Sequence, residues 1–172
     1  MEFEISEDRV WTPVHTRPRC EKKFMTWCEK FSITAYLPLR IKAKTIGKKV
    51  YKSFIPMFPG YTFAWLNSES KHKINQTNTV VSFIDLNRPQ EESLVRDLRG
   101  IVLMEHMQEL DELEVSPEIT VGKEVKIKSG PLRGLFGIVQ KRKGVHRVVV
   151  NVEMISQSVS MEIDASDVVI GV

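Results

Sequence analysis

Apolar positions recur along the chain with two different periods, and the changes of period mark its elements. Between Arg19 and Phe31, the residues Cys20, Phe24, Trp27, Cys28 and Phe31 fall at i, i+4, i+7, i+8 and i+11, one stripe of a helix. Tyr61 to Leu66, aromatic and β-branched and launched by the turn cluster Phe58-Pro59-Gly60, predicts a strand. Shorter strands are predicted over Val10–Thr16, Ile33–Leu39 and Val80–Leu86. Pro13, which has no ladder donor, points to a sheet edge or a bulge in the first of them. Lys44 to Lys48, around Gly47, reads as a hairpin tip between two basic arms. Asn67–Asn75 predicts a short polar helix capped by Asn67 or Ser68. Pro89 then opens a last helix, with Glu91 and Glu92 facing the positive end of its dipole and Leu94, Val95, Leu98, Ile101 and Val102 as its stripe.

Beyond Ser116-Pro117 the period shortens to two. Val125–Lys128 alternates, Ser129–Gly134 is a turn cluster, Leu135–Gln140 resumes a strand around Gly137, and Lys141–Gly144 turns again. Arg147–Val152, Val159–Ile163 and Asp167–Ile170 follow as strands, with Met154–Ser158 as a loop. Short strands with glycines where a sheet must bend predict a small closed barrel that hides its edges. Between the two patterns, Gln108–Pro117 carries Glu109, Asp111, Glu112 and Glu114 and no base, which is too polar to bury a core and reads as a linker. The expected organisation is therefore an α+β domain over 1–107, with an antiparallel sheet flanked by helices, an acidic linker over 108–117 and an all-β domain over 118–172.

Composition narrows the function more than the fold. The 172 residues are 42% hydrophobic and 27% charged, an ordinary soluble balance. No apolar run approaches the roughly 18 residues of a membrane helix, and the acidic start does not read as a secretory signal, so a cytoplasmic monomer with no membrane association is expected. The two cysteines, Cys20 and Cys28, fit neither a disulfide scaffold nor a metal knuckle and read as small buried hydrophobes. His72, His106 and His146 lack partners at ligand spacing apart from Glu105 beside His106, so no metal is expected. There is no phosphate loop, no nucleophile beside a base and no paired carboxylates, so neither an enzyme nor a cofactor is expected. Charge is uneven: Met1–Glu105 holds 17 Lys and Arg against 12 Asp and Glu, and the remainder 8 against 10. Arg40, Lys42, Lys44, Lys48, Lys49 and Lys52 form a run without an acid. Basic residues there, and Arg17 and Arg19 before the first helix, suit phosphate contacts or simply a solvated face.

Three segments, in order, carry a family resemblance. Trp11 with His15-Thr16-Arg17-Pro18-Arg19-Cys20-Glu21-Lys22 resembles the first strand and helix start of the NGN domain of the NusG family of transcription elongation factors. Pro56-Met57-Phe58-Pro59-Gly60-Tyr61-Thr62-Phe63 resembles that domain's Phe-Pro-Gly-Tyr signature, and Val125–Val139 resembles the KOW motif of its SH3-like β-barrel. The resemblance implies a non-enzymatic elongation or antitermination factor whose NGN domain binds the clamp helices of the largest catalytic RNA polymerase subunit. The implied polymerase-binding positions are Phe58, Tyr61, Phe63, His15, Leu86, Val95 and Leu98. Arg17 and Arg19 stand at nucleic-acid-facing places, where DNA or RNA of the elongation complex would lie. Lys71, His72 and Lys73 stand where specialised RfaH-like members touch the second polymerase lobe. Met154, Ile155 and Gln157 stand where the KOW domain meets a small-subunit ribosomal protein or Rho. The basic front half and the KOW motif leave one alternative, a ribosome-associated RNA-binding module.

Overall fold

The computed structural model describes residues 2–108, 113–117, 122–142, 145–163 and 168–170. The chain forms two compact units, Met1–Val95 and Arg96–Val172. The first contains β1 (Val10–Thr16), α1 (Glu21–Lys30), β2 (Ala35–Tyr36), β3 (Leu39–Ile46), β4 (Lys49–Pro56), β5 (Tyr61–Leu66), α2 (Ser68–Asn75), β6 (Val80–Phe83) and the start of α3 (Arg88–Met107). Its main sheet is antiparallel with strand order β2-β5-β1-β6, and β3 pairs with β4 alone.

Alternation along β1 and β5 gives the sheet two different faces. Val14, Ala64 and Leu66 lie on one face, in a cluster with Phe24 and Cys28 of α1, Ile74 of α2 and Val80, so the helical stripe read from the sequence is the cover of this core. Burial pushes the Cys28 thiol up to about 12, which makes it a protonated packing residue. The other face carries the cross-strand pairs His15–Tyr61, Pro13–Phe63 and Trp11–Trp65. Phe3, from the amino-terminal segment, packs edge-on against both Trp11 and Tyr36.

Pro13 is not at an edge, because β1 lies between β5 and β6. Its missing donor is tolerated for a local reason. Backbone N–H groups two residues apart point to the same side of a strand, and the Trp11 N–H on that side donates to Glu91 Oε1 at 2.9 Å. β6 begins pairing only at Val14, and the register irregularity falls at His15/Thr16. The helix starts follow their capping residues. Asn67 Oδ1 accepts from Ser70 N at 2.9 Å, and Asn87 and Gln90 exchange side chain and backbone bonds, both 3.0 Å, as a reciprocal cap of α3. The strand expected over Ile33–Leu39 is broken at Pro38, whose carbonyl accepts from Met57 N at 2.8 Å. The one expected over Val80–Leu86 ends at Phe83.

The second unit holds the rest of α3, then β7 (Glu114–Pro117), β8 (Lys123–Ile127), β9 (Phe136–Arg142), β10 (Val145–Val152), a 3₁₀ turn (Glu153–Ile155), β11 (Gln157–Glu162) and β12 (Val168–Ile170). The turn between β8 and β9 is tied by Gly134 N to Ile127 O at 2.8 Å and Ile127 N to Leu135 O at 2.9 Å. Gly137 is required by close approach, since a Cβ there would stand 2.5 Å from Val149 O of the neighbouring strand.

Two expectations change here. The strands form one six-stranded antiparallel sheet, order β12-β8-β9-β10-β11-β7, and among the described residues no ladder joins β12 to β7, so the expected closure into a barrel is not found there. Alternation specifies strands, whereas closure depends on tilt and stagger around the whole row. The last four residues of the expected linker are strand β7, paired along β11 from Gln157↔Pro117 to Ser160↔Glu114. Backbone pairing is indifferent to the acidic side chains that suggested a linker. Residues 109–112, the expected turn residues 143–144 and Asp167 lie outside the described residues.

Candidate partner-binding site

The Phe-Pro-Gly-Tyr turn is built by hydrogen bonds from both flanking elements. Gly60 takes φ +83, a conformation that a side chain disfavours. Its carbonyl accepts from Thr16 N at 2.8 Å, and Tyr61 N donates to Phe58 O at 3.0 Å. Glu21, in the first turn of α1 and only 6% exposed, accepts from Gly60 N at 2.8 Å. Sequence reasoning missed Glu21, because a carboxylate at a helix start has a sufficient local explanation in the dipole.

The turn presents a ring pair. His15 and Tyr61, opposite each other on β1 and β5, stack with centroids 5.0 Å apart and planes 19° from parallel, both half-buried. Gly60 backs this pair, since a Cβ there would meet the His15 ring at 3.5 Å. Leu86, between β6 and α3, is also half-buried. The other four positions expected at the polymerase-binding surface are core: Phe58, Phe63 and Leu98 at 0% and Val95 at 1% exposure. Phe58 and Phe63 pack edge-to-face at 6.4 Å. The reason is geometric: Phe63 lies two residues further along β5, on the same face as Tyr61 but deeper in the sheet.

The basic candidates divide into exposed and engaged groups. Arg17 and Arg19 are exposed, and Arg19 holds a left-handed φ of +62 in the turn before α1. Lys71 bonds Asp85 and lies 5.8 Å from the Phe83 ring centre, Lys73 pairs with Glu69 at 2.6 Å, and His72 meets Gln76 at 3.0 Å. These three are therefore already engaged with neighbours, Lys73 and His72 at helical i,i+4 spacing and Lys71 with a residue 14 positions on. In the second unit, Ile155, one of the three positions expected to meet a partner, is buried at 7%. Met154 is half-buried and Gln157 is the first residue of β11 rather than part of a loop. Ser156 makes the bend by taking φ +51.

A concavity of about 400 Å³ also lies in the second unit, lined by Asp97, Glu124 and Glu153 together with Val125, Ile138 and Val149. Burial raises the Asp97 pKa to about 7, with Arg96 opposing and Glu153 adding to the shift. Among the described residues no group of three or more His, Cys, Asp or Glu is placed to hold a metal.

A family model described as "Transcription termination factor nusG" matches residues 9–102, from the start of β1 into α3. That is more than half of the chain, and the chain belongs to the NusG family. Its class is thereby that of non-enzymatic transcription elongation and termination factors, which generally bind RNA polymerase. No curated relative matches the chain. Among the described residues no helix is long and apolar enough to cross a membrane.

Proposed function

We propose that the 1–107 region is the polymerase-docking NGN domain, that it grips the clamp helices of the largest catalytic subunit of RNA polymerase, and that it favours processive elongation by binding alone. The observation that carries this reading is the half-exposed His15–Tyr61 stack held over the Gly60 turn. An aromatic pair fixed by backbone bonds on two strands loses little conformational entropy on docking, and such anchors carry interface energies of about 2 kcal/mol or more each. Leu86 adds an apolar edge. Phe58, Phe63 and Val95 act as core of the same unit in place of touching the partner. The region 118–172 recruits a second partner, a small-subunit ribosomal protein or Rho, with Met154 and Gln157 as its contact positions. DNA or RNA of the elongation complex passes Arg17 and Arg19.

The test is retention of RNA polymerase on the immobilised chain. Tyr61→Ala and His15→Ala are expected to weaken retention by about 10-fold or more each, while Lys73→Ala leaves it within about 2-fold, as its exposed ion pair is worth little. Equal retention by wild type and both ring variants would remove the docking assignment.

A further inference from the structure

The concavity of the second unit draws its lining from several elements. Glu124, Ile138 and Val149 are ladder partners across β8, β9 and β10, so they share one face of the sheet. Phe136 and Asn151, two positions along their strands, belong to the same face and the same lining. α3 contributes Arg96 and Asp97, and the 3₁₀ turn contributes Glu153. The Phe136 ring is 44% exposed and already holds a cation, with Lys126 Nζ 4.8 Å from its centre.

The carboxylates of this lining are short of partners. Asp97 has a side chain only 15% exposed, and its one ionic contact among the described residues is Arg96 Nε at 3.9 Å. Among the described residues, Glu124 and Glu153 form no ion pair. Against the three carboxylates the lining supplies one cation, Arg96. Removing a carboxylate from water without compensation is costly, and the pKa of about 7 at Asp97, to which Glu153 adds, is the response. A perturbed acid in a cavity with apolar and aromatic walls is a combination that functional sites favour.

We propose that this cavity binds a linear polyamine, with its ammonium groups on Asp97, Glu124 and Glu153 and its methylene stem against Phe136, Ile138 and Val149. Three physical points select that occupant. An excess of carboxylates over cations in one hollow attracts positive charge. The carboxylates come from three different elements, and among the described residues no three acids are placed to hold a metal ion, so charges spread along a chain fit better than one point charge. The apolar residues between them favour an alkyl stem, which they remove from water, over a hydrated ion. A lysine side chain of a partner brings one ammonium to a site with three carboxylates. The site shares no residue with the His15–Tyr61 surface and is tested without polymerase, so the two readings fail independently.

Isothermal titration calorimetry of spermidine into the full chain, at 150 mM salt and at pH 8 where Asp97 is ionised, reads the affinity. Saturable one-to-one binding is expected, with butylamine, which carries a single ammonium, weaker by about 10-fold or more. The variant Glu124→Gln/Glu153→Gln is compared with Glu7→Gln/Asp8→Asn, which removes the same two charges from exposed positions of the first unit. The cavity variant is expected to lose about 5-fold or more in affinity and the other less than about 2-fold, with far-UV circular dichroism verifying both folds. In the unmodified chain, amide NMR shifts on adding spermidine are expected at Val125, Ile138 and Val149. Absent or non-saturable binding, equal losses for the two variants, shifts spread over acidic positions of both units, or butylamine or a lysine-bearing peptide binding as tightly as spermidine would each overturn the proposal.

Discussion

At the scale of single residues, Asp97 gives the chain a pH dependence of defined sign. Its pKa in the folded protein is raised from 3.8 to about 7, chiefly by burial. In the unfolded chain the carboxyl ionises near pH 4, while the fold holds it neutral until about pH 7, so its contribution is most favourable in acid and is lost as pH rises between those values. Asp97→Asn keeps the shape and removes the titration. Thermal melts are expected to show the variant more stable at pH 8, by on the order of 1–3 kcal/mol, with the difference closing by pH 4. A difference that does not vary with pH would contradict the assignment. This group was invisible in the sequence, where Asp97 sits between Arg96 and Leu98 as one more polar residue of an amphipathic helix. Burial of a carboxylate is set by what packs over it, and neither Glu124 nor Glu153 is near it in the chain. Glu21 escaped notice for the same reason, its partner Gly60 being 39 residues away. The Phe58-Pro59-Gly60-Tyr61 bend, by contrast, was legible because turn chemistry is local, although that signal did not reveal that Phe58 is buried.

At the scale of elements, the main sheet is tied to α3 by a side chain. Glu91, 1% exposed, accepts from Trp11 N across 80 residues of sequence and stands 3.4 Å from the Arg88 guanidinium. Glu91→Ala leaves a buried backbone donor unpaired on the strand side that Pro13 also fails to ladder. Urea denaturation is expected to register a loss of about 1–3 kcal/mol, whereas Glu91→Gln keeps an acceptor oxygen and loses less. A Gln variant as unstable as the Ala variant would place the effect in charge rather than in the bond. Elements were the most legible level of this protein. α1, α2, α3, β5 and the hairpin followed from period, caps and turn residues, because those signals act within a few residues. Of the edge or bulge that Pro13 suggested, the edge is excluded and a register irregularity lies at His15/Thr16: the rule concerns the ladder partner on the donor's side, and the sequence does not say which side is paired. The sixth strand of the second sheet was missed because β7 is specified by the open edge of β11, not by its own acidic composition.

At the scale of the whole molecule, the two compact units meet at Val95/Arg96, inside α3. The second unit begins at Arg96, and the helical portion it contains is fitted closely to the sheet. A Cβ on Gly100 would lie 2.7 Å from Leu135 Cδ1 and 3.5 Å from Val150 Cγ2, and both of those side chains are buried, at 3% and 2%. Acidic composition suggested a boundary over 108–117, yet it is apolar packing and strand pairing that define a folding unit. The two boundaries predict different behaviour of fragments. A 96–172 fragment retains the helix over Leu135 and Val150 and keeps β7 along the edge of β11. A 118–172 fragment uncovers both apolar side chains, each worth about 1.5–3 kcal/mol when buried, and leaves β11 with an unpaired edge. At about 4–8 °C per kcal/mol for a domain of this size, the shorter fragment is expected to melt at least about 10 °C lower, with a far-UV spectrum dominated by strand in both. The longer fragment adds a helical component. Equal melting midpoints would return the boundary to the acidic stretch and make the second half of α3 dispensable to the sheet, whereas a helix-dominated spectrum of 118–172 would show that the strands depend on the residues removed.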